Sequence, residues 1–98
     1  MVDLEPDFTG QTVVVTGGTR GIGRAITEAF AAVGGDVVPT SRTEADVVDA
    51  AEAVRERGGK SLVAPTDVSD REAVAALFDR VDEEFGGVDV VVNNAGIN

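Results

Sequence analysis

Apolar residues along the chain follow two alternating periods. Short β-branched runs such as Thr12–Thr16 predict buried strands. Between these runs, apolar residues recur every three or four positions, as at Ile22, Ile26 and Phe30, and this spacing predicts amphipathic helices. The predicted strands are Thr12–Thr16, Asp36–Thr40, 61–66 and 88–93, and the predicted helices are 21–33, 44–57 and a third one between Ser69 and Gly86.

The order of these elements predicts an α/β fold with a parallel sheet, because strands and helices alternate with short connections and such crossovers are right-handed. We expect four strands in the order 3-2-1-4 and three helices, which is a truncated half of a doubly wound sheet. The first two helices are expected on one face of the sheet and the third on the other. Residues 1–98 would form one domain, with residues 1–9 as an N-terminal tail.

Two positions bear on the element boundaries. Ser69 and Glu72 have the spacing of a capping box, in which the serine hydroxyl accepts the third N–H of the helix. Pro39 has no N–H for a sheet ladder, so we expect it where the second strand leaves the sheet; a shorter strand is the alternative.

Composition and charge exclude several classes of function. Eight basic and eighteen acidic residues give a formal net charge of −10, so nucleic acid and anionic membranes are not expected partners. The chain has no Cys and no His, which removes disulfides, thiol nucleophiles and imidazole bases, and no metal site is expected. The start of the chain is acidic and no apolar run is long enough to cross a bilayer, so we expect a cytoplasmic protein.

Glycines cluster where the first strand passes into the first helix, in the spacing Gly-x-x-x-Gly-x-Gly from Gly17 to Gly23. Residues without a Cβ allow a tight turn and a close approach of the backbone to a pyrophosphate. A helix that begins there also directs free N–H groups and its positive dipole end at an anion. The alternative is a turn whose glycines serve only the chain reversal; its strand–turn–helix context favours dinucleotide binding.

Three segments in register resemble the short-chain dehydrogenase/reductase family, which has a Rossmann-like fold. They are Thr16-Gly17-Gly18-Thr19-Arg20-Gly21-Ile22-Gly23, Asp67-Val68 and Asn93-Asn94-Ala95-Gly96. The resemblance implies that these segments line a nicotinamide dinucleotide, with the glycine turn around the pyrophosphate and neighbouring ribose. Asp67 would accept from the adenine amino group beside the Val68 backbone, and the Asn-Asn-Ala-Gly segment would stabilise the sheet end and line the adenosine ribose. The implied residues are Gly17, Thr19, Arg20, Gly21, Ile22, Gly23, Asp67, Val68, Asn93, Asn94, Ala95 and Gly96.

Other interpretations of two of these segments stay open at this point. Asp67 is equally suited to be a solvated cap before the third helix. Asn93 and Asn94 have the chemistry of an ordinary turn.

The end of the second strand indicates the choice of cofactor. An acidic side chain there binds the ribose 2′-hydroxyl of NAD, whereas an arginine accommodates the 2′-phosphate of NADP. This chain has Ser41 and Arg42 and no carboxylate before Glu44, and Arg20 adds a second cation. We therefore expect NADP, with NAD as the alternative; Arg42 would otherwise be a surface residue near the next helix.

The resemblance also implies where the reaction chemistry lies. The family's catalytic Ser, Tyr-x-x-x-Lys pair and further Asn follow the Asn-Asn-Ala-Gly segment, whereas this sequence has no Tyr and ends at Asn98. No residue is therefore assigned a catalytic role, and we expect these 98 residues to bind NADP(H) without turnover. In an intact protein, hydride would pass between the nicotinamide and a carbonyl or alcohol substrate. A non-catalytic dinucleotide-binding or self-assembling module is the alternative function.

The last predicted strand, from Val88 to Asn93, would be an apolar edge of the sheet. Unpaired edges invite the addition of another strand. We expect this edge to pair with a second copy of the chain or with a C-terminal half.

Overall fold

The computed structural model describes residues 7–94, which form a parallel sheet with helices on both faces. Within that part of the chain the sheet has three strands in the order β2-β1-β3. The elements are β1 (Thr12–Thr16), α1 (Gly21–Ala32), β2 (Asp36–Thr40), α2 (Glu44–Glu56), α3 (Arg71–Phe85) and β3 (Val90–Asn93). The predicted α/β class, the parallel sheet and the three helices are confirmed.

The central strand β1 divides the core into two layers. Val13 and Val15 pack on one face with residues of α1 and α2, including Ala31 and Val54. Val14 lies on the opposite face with Leu77 and other residues of α3. The alternation follows from the period of two along a strand. It places two helices on one face and one on the other, as the sequence predicts.

The prediction of a strand at residues 61–66 is wrong. The segment 61–66 runs beside the outer edge of β2, in the position expected for a strand, but it does not join the sheet. Backbone hydrogen bonds hold it at its two ends. The Val37 N–H donates to the Lys60 carbonyl oxygen at 3.1 Å, and the Thr66 N–H donates to that of Ser41 at 2.8 Å. The sheet is therefore one strand narrower than expected.

Pro39 removes one donor from the ladder between β2 and the segment 61–66. It lies inside β2 in register with Val15, and it is buried, so the expectation that it falls where the chain leaves the sheet is also wrong. Backbone groups of alternate strand residues point to the same neighbour, so Pro39 faces the segment 61–66, as Val37 does. Proline has no N–H to donate at this central position. Its bonding toward β1 needs no such donor, so β2 stays paired with β1 as an edge strand of the sheet.

Two other element boundaries differ from those predicted. The last strand begins at Val90, not at Val88, because the Asp89 carboxylate Oδ2 accepts the Thr12 N–H at 2.8 Å in place of a ladder carbonyl. The N-cap of α3 is Asp70, not Ser69.

The Asp70 carboxylate Oδ1 accepts the N–H groups of Glu72 and Ala73 at 3.0 and 3.2 Å. A carboxylate is favoured at this position because it also carries a negative charge to the positive end of the helix.

Candidate functional site

The carboxyl ends of the three strands meet at one edge of the sheet, and a cleft of about 350 Å³ opens there. Its lining comes from the end of β1, from the end of β2 and from the turn before α3. The lining residues are Gly17, Ser41, Arg42, Thr66, Asp67, Val68 and Ser69. Five of these are among the predicted site residues. Thr66 and Ser69 were not predicted as site residues, although each is adjacent in sequence to the predicted pair Asp67-Val68 and could have been inferred from that position.

The glycine turn between β1 and α1 depends on missing Cβ atoms at several positions. Gly17 has φ +64° and Gly21 has φ +57°, the left-handed region that glycine tolerates. A Cβ on Gly23 would overlap the carbonyl oxygen of Gly17. Gly21, in contrast, faces open space, with nothing within 4 Å of a Cβ built there. The start of α1 is thus packed directly against the turn, while its outer side is free for a ligand.

The first turn of α1 presents unpaired backbone donors at this place. Arg20 is the N-cap in an extended conformation, it makes no side-chain capping hydrogen bond, and the first turn contains no acidic residue. The first N–H groups of a helix have no carbonyl partner within it. Together with the helix dipole they make a site suited to an anion. The Thr27 hydroxyl supports the turn from within by donating to the Gly18 carbonyl oxygen at 2.8 Å.

The end of β2 brings Ser41 and Arg42 to the cleft beside the glycine turn. The Thr19 hydroxyl donates to the Ser41 Oγ at 3.2 Å and so ties the two segments together. Arg42 is exposed and forms no ion pair within residues 7–94. The Arg20 side chain is 82% exposed, with its Nη1 4.0 Å from the Asp46 carboxylate on α2. Two cations therefore lie at the same corner of the site.

Asp67 lines the same cleft. Its Oδ1 accepts both the Ser69 hydroxyl, at 2.7 Å, and the Ser69 N–H, at 2.9 Å. These hydrogen bonds, first that of the hydroxyl and then that of the backbone, lower the pKa of Asp67 below its ordinary value, and Arg42 adds a smaller electrostatic contribution in the same direction. Since Asp70 caps α3, the cap interpretation of Asp67 does not hold. Its Oδ2 makes no hydrogen bond in the part of the chain that the structure describes.

The end of β3 is joined to the end of β1 by side-chain hydrogen bonds. The Thr16 hydroxyl donates to Asn93 Oδ1 at 3.0 Å and accepts the Asn94 N–H at 3.2 Å. The Asn94 side-chain Nδ2 donates to the Gly17 carbonyl oxygen at 3.1 Å. Both asparagines therefore support the glycine turn. Thr16 joins them in this hydrogen-bond network, although the sequence analysis does not include it among the implied site residues. Ala95 and Gly96 lie outside the described residues.

A second hollow of about 350 Å³ lies on the α3 side of the sheet, next to the first. Its lining residues are Thr16, Val68, Val74, Phe78, Val91 and Asn93. Val91 on the edge strand is 52% exposed there, and Val68 is 41% exposed. The valine run of β3 predicts an apolar edge, and the structure adds that this edge is continuous with the candidate site.

Other kinds of site are not found among residues 7–94. No group of three or more potential metal-ligating side chains comes together there. None of the helices described is long and apolar enough to cross a membrane.

The chain matches the family model described as short chain dehydrogenase over residues 11–98. It is 45% identical over 92 residues to 3beta-hydroxysteroid dehydrogenase 1 of Eggerthella lenta, an alignment that covers 93% of this chain and 35% of that protein. The chain spans about a third of the length of the curated relatives it matches.

Solved structures of similar sequence have the same fold. L-Sorbose reductase from Gluconobacter frateurii, complexed with NADPH and L-sorbose, is 38% identical with a TM-score of 0.88, over 93% of this chain and 35% of that one. A metagenomic short-chain oxidoreductase in complex with NADP is 37% identical with a TM-score of 0.85, over 92% of this chain and 41% of that one. The family model matches residues 11–98, and the glycine turn lies between β1 and α1, as the sequence motif predicts. The chain therefore belongs to the short-chain dehydrogenase family.

Proposed function

We propose that this chain is the NADP(H)-binding part of a short-chain oxidoreductase that acts on a carbonyl or alcohol substrate. The observation that carries the proposal is the cleft at the end of the sheet, where Ser41 and Arg42, which follow β2, line the same space as Gly17 and Asp67. Cations, a hydroxyl and unpaired backbone donors meet there without a carboxylate at the end of β2. This combination suits a dinucleotide that carries an additional phosphate on its adenosine ribose.

Preference for NADP over NAD rests on the charge at the end of β2. Arg42 has no ion-pair partner in the described part of the chain, so its guanidinium is available for a dianionic phosphate. Ser41 offers a hydroxyl at the same place, and Arg20 adds a second cation whose ion pair with Asp46 is long, at 4.0 Å. Two similar proteins of known structure, the L-sorbose reductase and the metagenomic oxidoreductase, hold NADPH and NADP respectively.

The remaining predicted residues fit the rest of the cofactor. Gly17, Gly21, Ile22 and Gly23 surround the open start of α1, where backbone N–H groups would hold the pyrophosphate. Asp67 keeps Oδ2 free to accept the adenine amino group, while Oδ1 is fixed by Ser69.

The adenosine ribose would lie near Asn93 and Asn94, which hold the turn in place. Ala95 and Gly96, which follow them, are proposed to line the same ribose, and Val68 to lie against the adenine.

Binding and orientation are the tasks of these residues, and proton transfer is not. The bound nicotinamide would supply or accept the hydride. Residues 1–98 contain no Tyr, His or Cys, and the one Lys, Lys60, lies beyond the end of α2, remote from the cleft. We therefore assign no catalytic acid or base to these residues, which by themselves would bind the cofactor without turnover.

The outer side of β3 is the proposed contact with further polypeptide. Within residues 7–94 this strand pairs with β1 and with no other strand. Val91 exposes about half of its surface beside it. A further strand, from the rest of a longer protein or from a second copy, would complete the ladder and cover this surface. The expected cytoplasmic location stays a prediction.

The proposal is tested by titrating the intact protein with NADPH and NADH and following nicotinamide fluorescence. Arg42→Asp is expected to weaken NADPH binding at least about tenfold and to strengthen NADH binding, because a carboxylate repels the 2′-phosphate and accepts from a 2′-hydroxyl. Arg80→Asp, which makes the same charge change on α3, is the matched control. Equal NADPH affinity in the two variants would overturn the NADP assignment, and a wild-type protein that binds neither nucleotide would overturn the function.

A further inference from the structure

Arg24, on the second turn of α1, is bonded to the glycine turn although no motif marks it as a site residue. Its Nη1 donates to the Thr19 carbonyl oxygen at 3.4 Å. The same nitrogen is 3.0 Å from the Asp49 carboxylate on α2, and its Nε is 3.1 Å from Glu28 on α1. Only 24% of its side chain is exposed. One guanidinium thus connects the turn with both helices on this face of the sheet.

The bond to Thr19 fixes the direction of one peptide unit in the turn. In a trans peptide the C=O and the following N–H point in opposite directions. A Thr19 carbonyl that is held toward Arg24 therefore aims the Arg20 N–H away from Arg24. Thr19 is nearly buried, at 4% exposure, and its hydroxyl is bonded to Ser41 at the cleft. The Thr19 end of this peptide is thus held twice, through its carbonyl oxygen and through its side chain.

The two carboxylates explain why an arginine is needed. Glu28 and Asp49 place two negative charges behind the turn, in a chain that already has a net charge of −10. Arg24 pairs with both, and Arg57 shares Glu28 through a contact of 3.4 Å. A planar guanidinium has donors in several directions, whereas a lysine ammonium is a point charge on a flexible stem. Arg24 therefore combines charge compensation with a defined orientation.

We infer that Arg24 is a positioning residue, which orients the Thr19–Arg20 peptide so that its N–H is available to a phosphate of the bound dinucleotide. The inference rests on the proposed function and adds a residue to it. Arg24 itself does not line the cleft. Its effect on a ligand therefore passes through the backbone of the turn.

The test compares Arg24→Met with Arg57→Met in the intact protein. Both variants remove one positive charge from the partners of Glu28, but only Arg24 contacts the turn. Each variant is titrated with NADPH, with adenosine 2′,5′-bisphosphate and with adenosine. We expect Arg24→Met to weaken binding of the two phosphate-bearing ligands about tenfold, the effect of one charge-assisted hydrogen bond, and to leave adenosine within about threefold of the wild type. Arg57→Met is expected to leave all three within about threefold.

The outcomes separate the inference from the function on which it rests. If Arg24→Met and Arg57→Met lose the same affinity for NADPH, the effect is one of charge alone. If Arg24→Met loses the same affinity for adenosine as for its bisphosphate, the fold has loosened in general. Either result overturns the inference. Arg24→Lys keeps the charge, and we expect it to recover less than half of the lost binding free energy. Full recovery by lysine would also contradict an orienting role. A wild-type protein that does not bind NADPH would instead contradict the proposed function.

Discussion

The side-chain amide of Asn94 donates a hydrogen bond of 3.1 Å to the carbonyl oxygen of Gly17, and this contact ties the end of β3 to the glycine turn that follows β1. The two residues are 77 positions apart in the sequence. The same amide nitrogen lies so close to Gly23 that a Cβ there would approach it to 2.7 Å. Turn, helix start and strand end are therefore one packed unit.

Asn94→Ala is expected to lower the free energy of unfolding by about 1–2 kcal/mol, because the partly buried Gly17 carbonyl loses a partner that water replaces only in part. Nucleotide binding should weaken as well, since the turn is released on one side. Urea unfolding followed by circular dichroism measures the first effect and NADPH titration the second. Glu83→Ala, at an exposed position on α3, is the control. A variant as stable as this control would show that the contact contributes nothing.

Gly23→Ala is expected to destabilise the protein, although helix propensity alone predicts the opposite. In a helix interior, alanine is favoured over glycine by about 1 kcal/mol. Here the added methyl would overlap the Gly17 carbonyl oxygen, a backbone atom that moves only with the turn. We expect a loss of more than about 2 kcal/mol in unfolding free energy and no detectable NADPH binding. Calorimetry shows whether the substitution lowers or raises the stability of the protein. A stabilised variant would contradict the described packing.

Gly21→Ala provides a contrast two residues earlier. Nothing lies within 4 Å of a Cβ at Gly21, so the cost is limited to the backbone strain at φ +57°, about 1 kcal/mol. A loss as large as that of Gly23→Ala would contradict the open space described beside Gly21.

Ser69→Ala is expected to raise the pKa of Asp67 toward its ordinary value of 3.8, because it removes the hydroxyl that contributes most to the lowered pKa. A carboxyl whose pKa is lower in the folded state stabilises the fold above its unfolded pKa and loses that contribution as the pH falls through the folded value. The wild type should therefore exceed Ser69→Ala in stability at neutral pH, and the difference should shrink as the pH falls below 3.8 and through the lowered pKa of Asp67.

Carbon-13 NMR of the Asp67 carboxyl gives the pKa directly, and thermal unfolding at neutral and acid pH gives the stability difference. Ser69→Thr keeps a hydroxyl and is expected to behave as the wild type does. An unchanged Asp67 pKa in Ser69→Ala would contradict the hydrogen bond at 2.7 Å.

Pro39→Val is expected to restore the ladder between β2 and the segment 61–66, because valine supplies the missing N–H on the side where Val37 already donates to Lys60. The new amide at position 39 should be protected from hydrogen exchange to the same extent as that of Val37. Overall stability should change by less than about 1 kcal/mol, since proline also restricts the unfolded chain. An amide at position 39 that exchanges as fast as an exposed loop would show that the segment is separated from β2 for another reason.

The local sequence pattern was sufficient to predict most of the helices and strands. The β-branched run Thr12–Thr16 and the run Asp36–Thr40 became strands with the predicted bounds, and each predicted helix differs by at most two residues at either end. These features depend on side-chain period and on glycines at helix ends, which neighbouring residues decide. The resemblance of three short motifs also predicted which segments would meet at the end of the sheet.

Long-range contacts decided what the pattern could not. Whether residues 61–66 form a strand depends on the donor that Pro39 lacks on the neighbouring chain segment, not on their own apolar sequence. The N-cap of α3 is Asp70 and not the predicted Ser69, whose hydroxyl bonds instead to Asp67. The bond of Arg24 to the turn and to α2 exists only because the fold brings residues 19 and 49 to the same guanidinium. The sequence thus determined which segments form helices and strands. The tertiary structure decided their hydrogen-bond partners, because a partner far along the chain produces no periodic pattern in the local sequence.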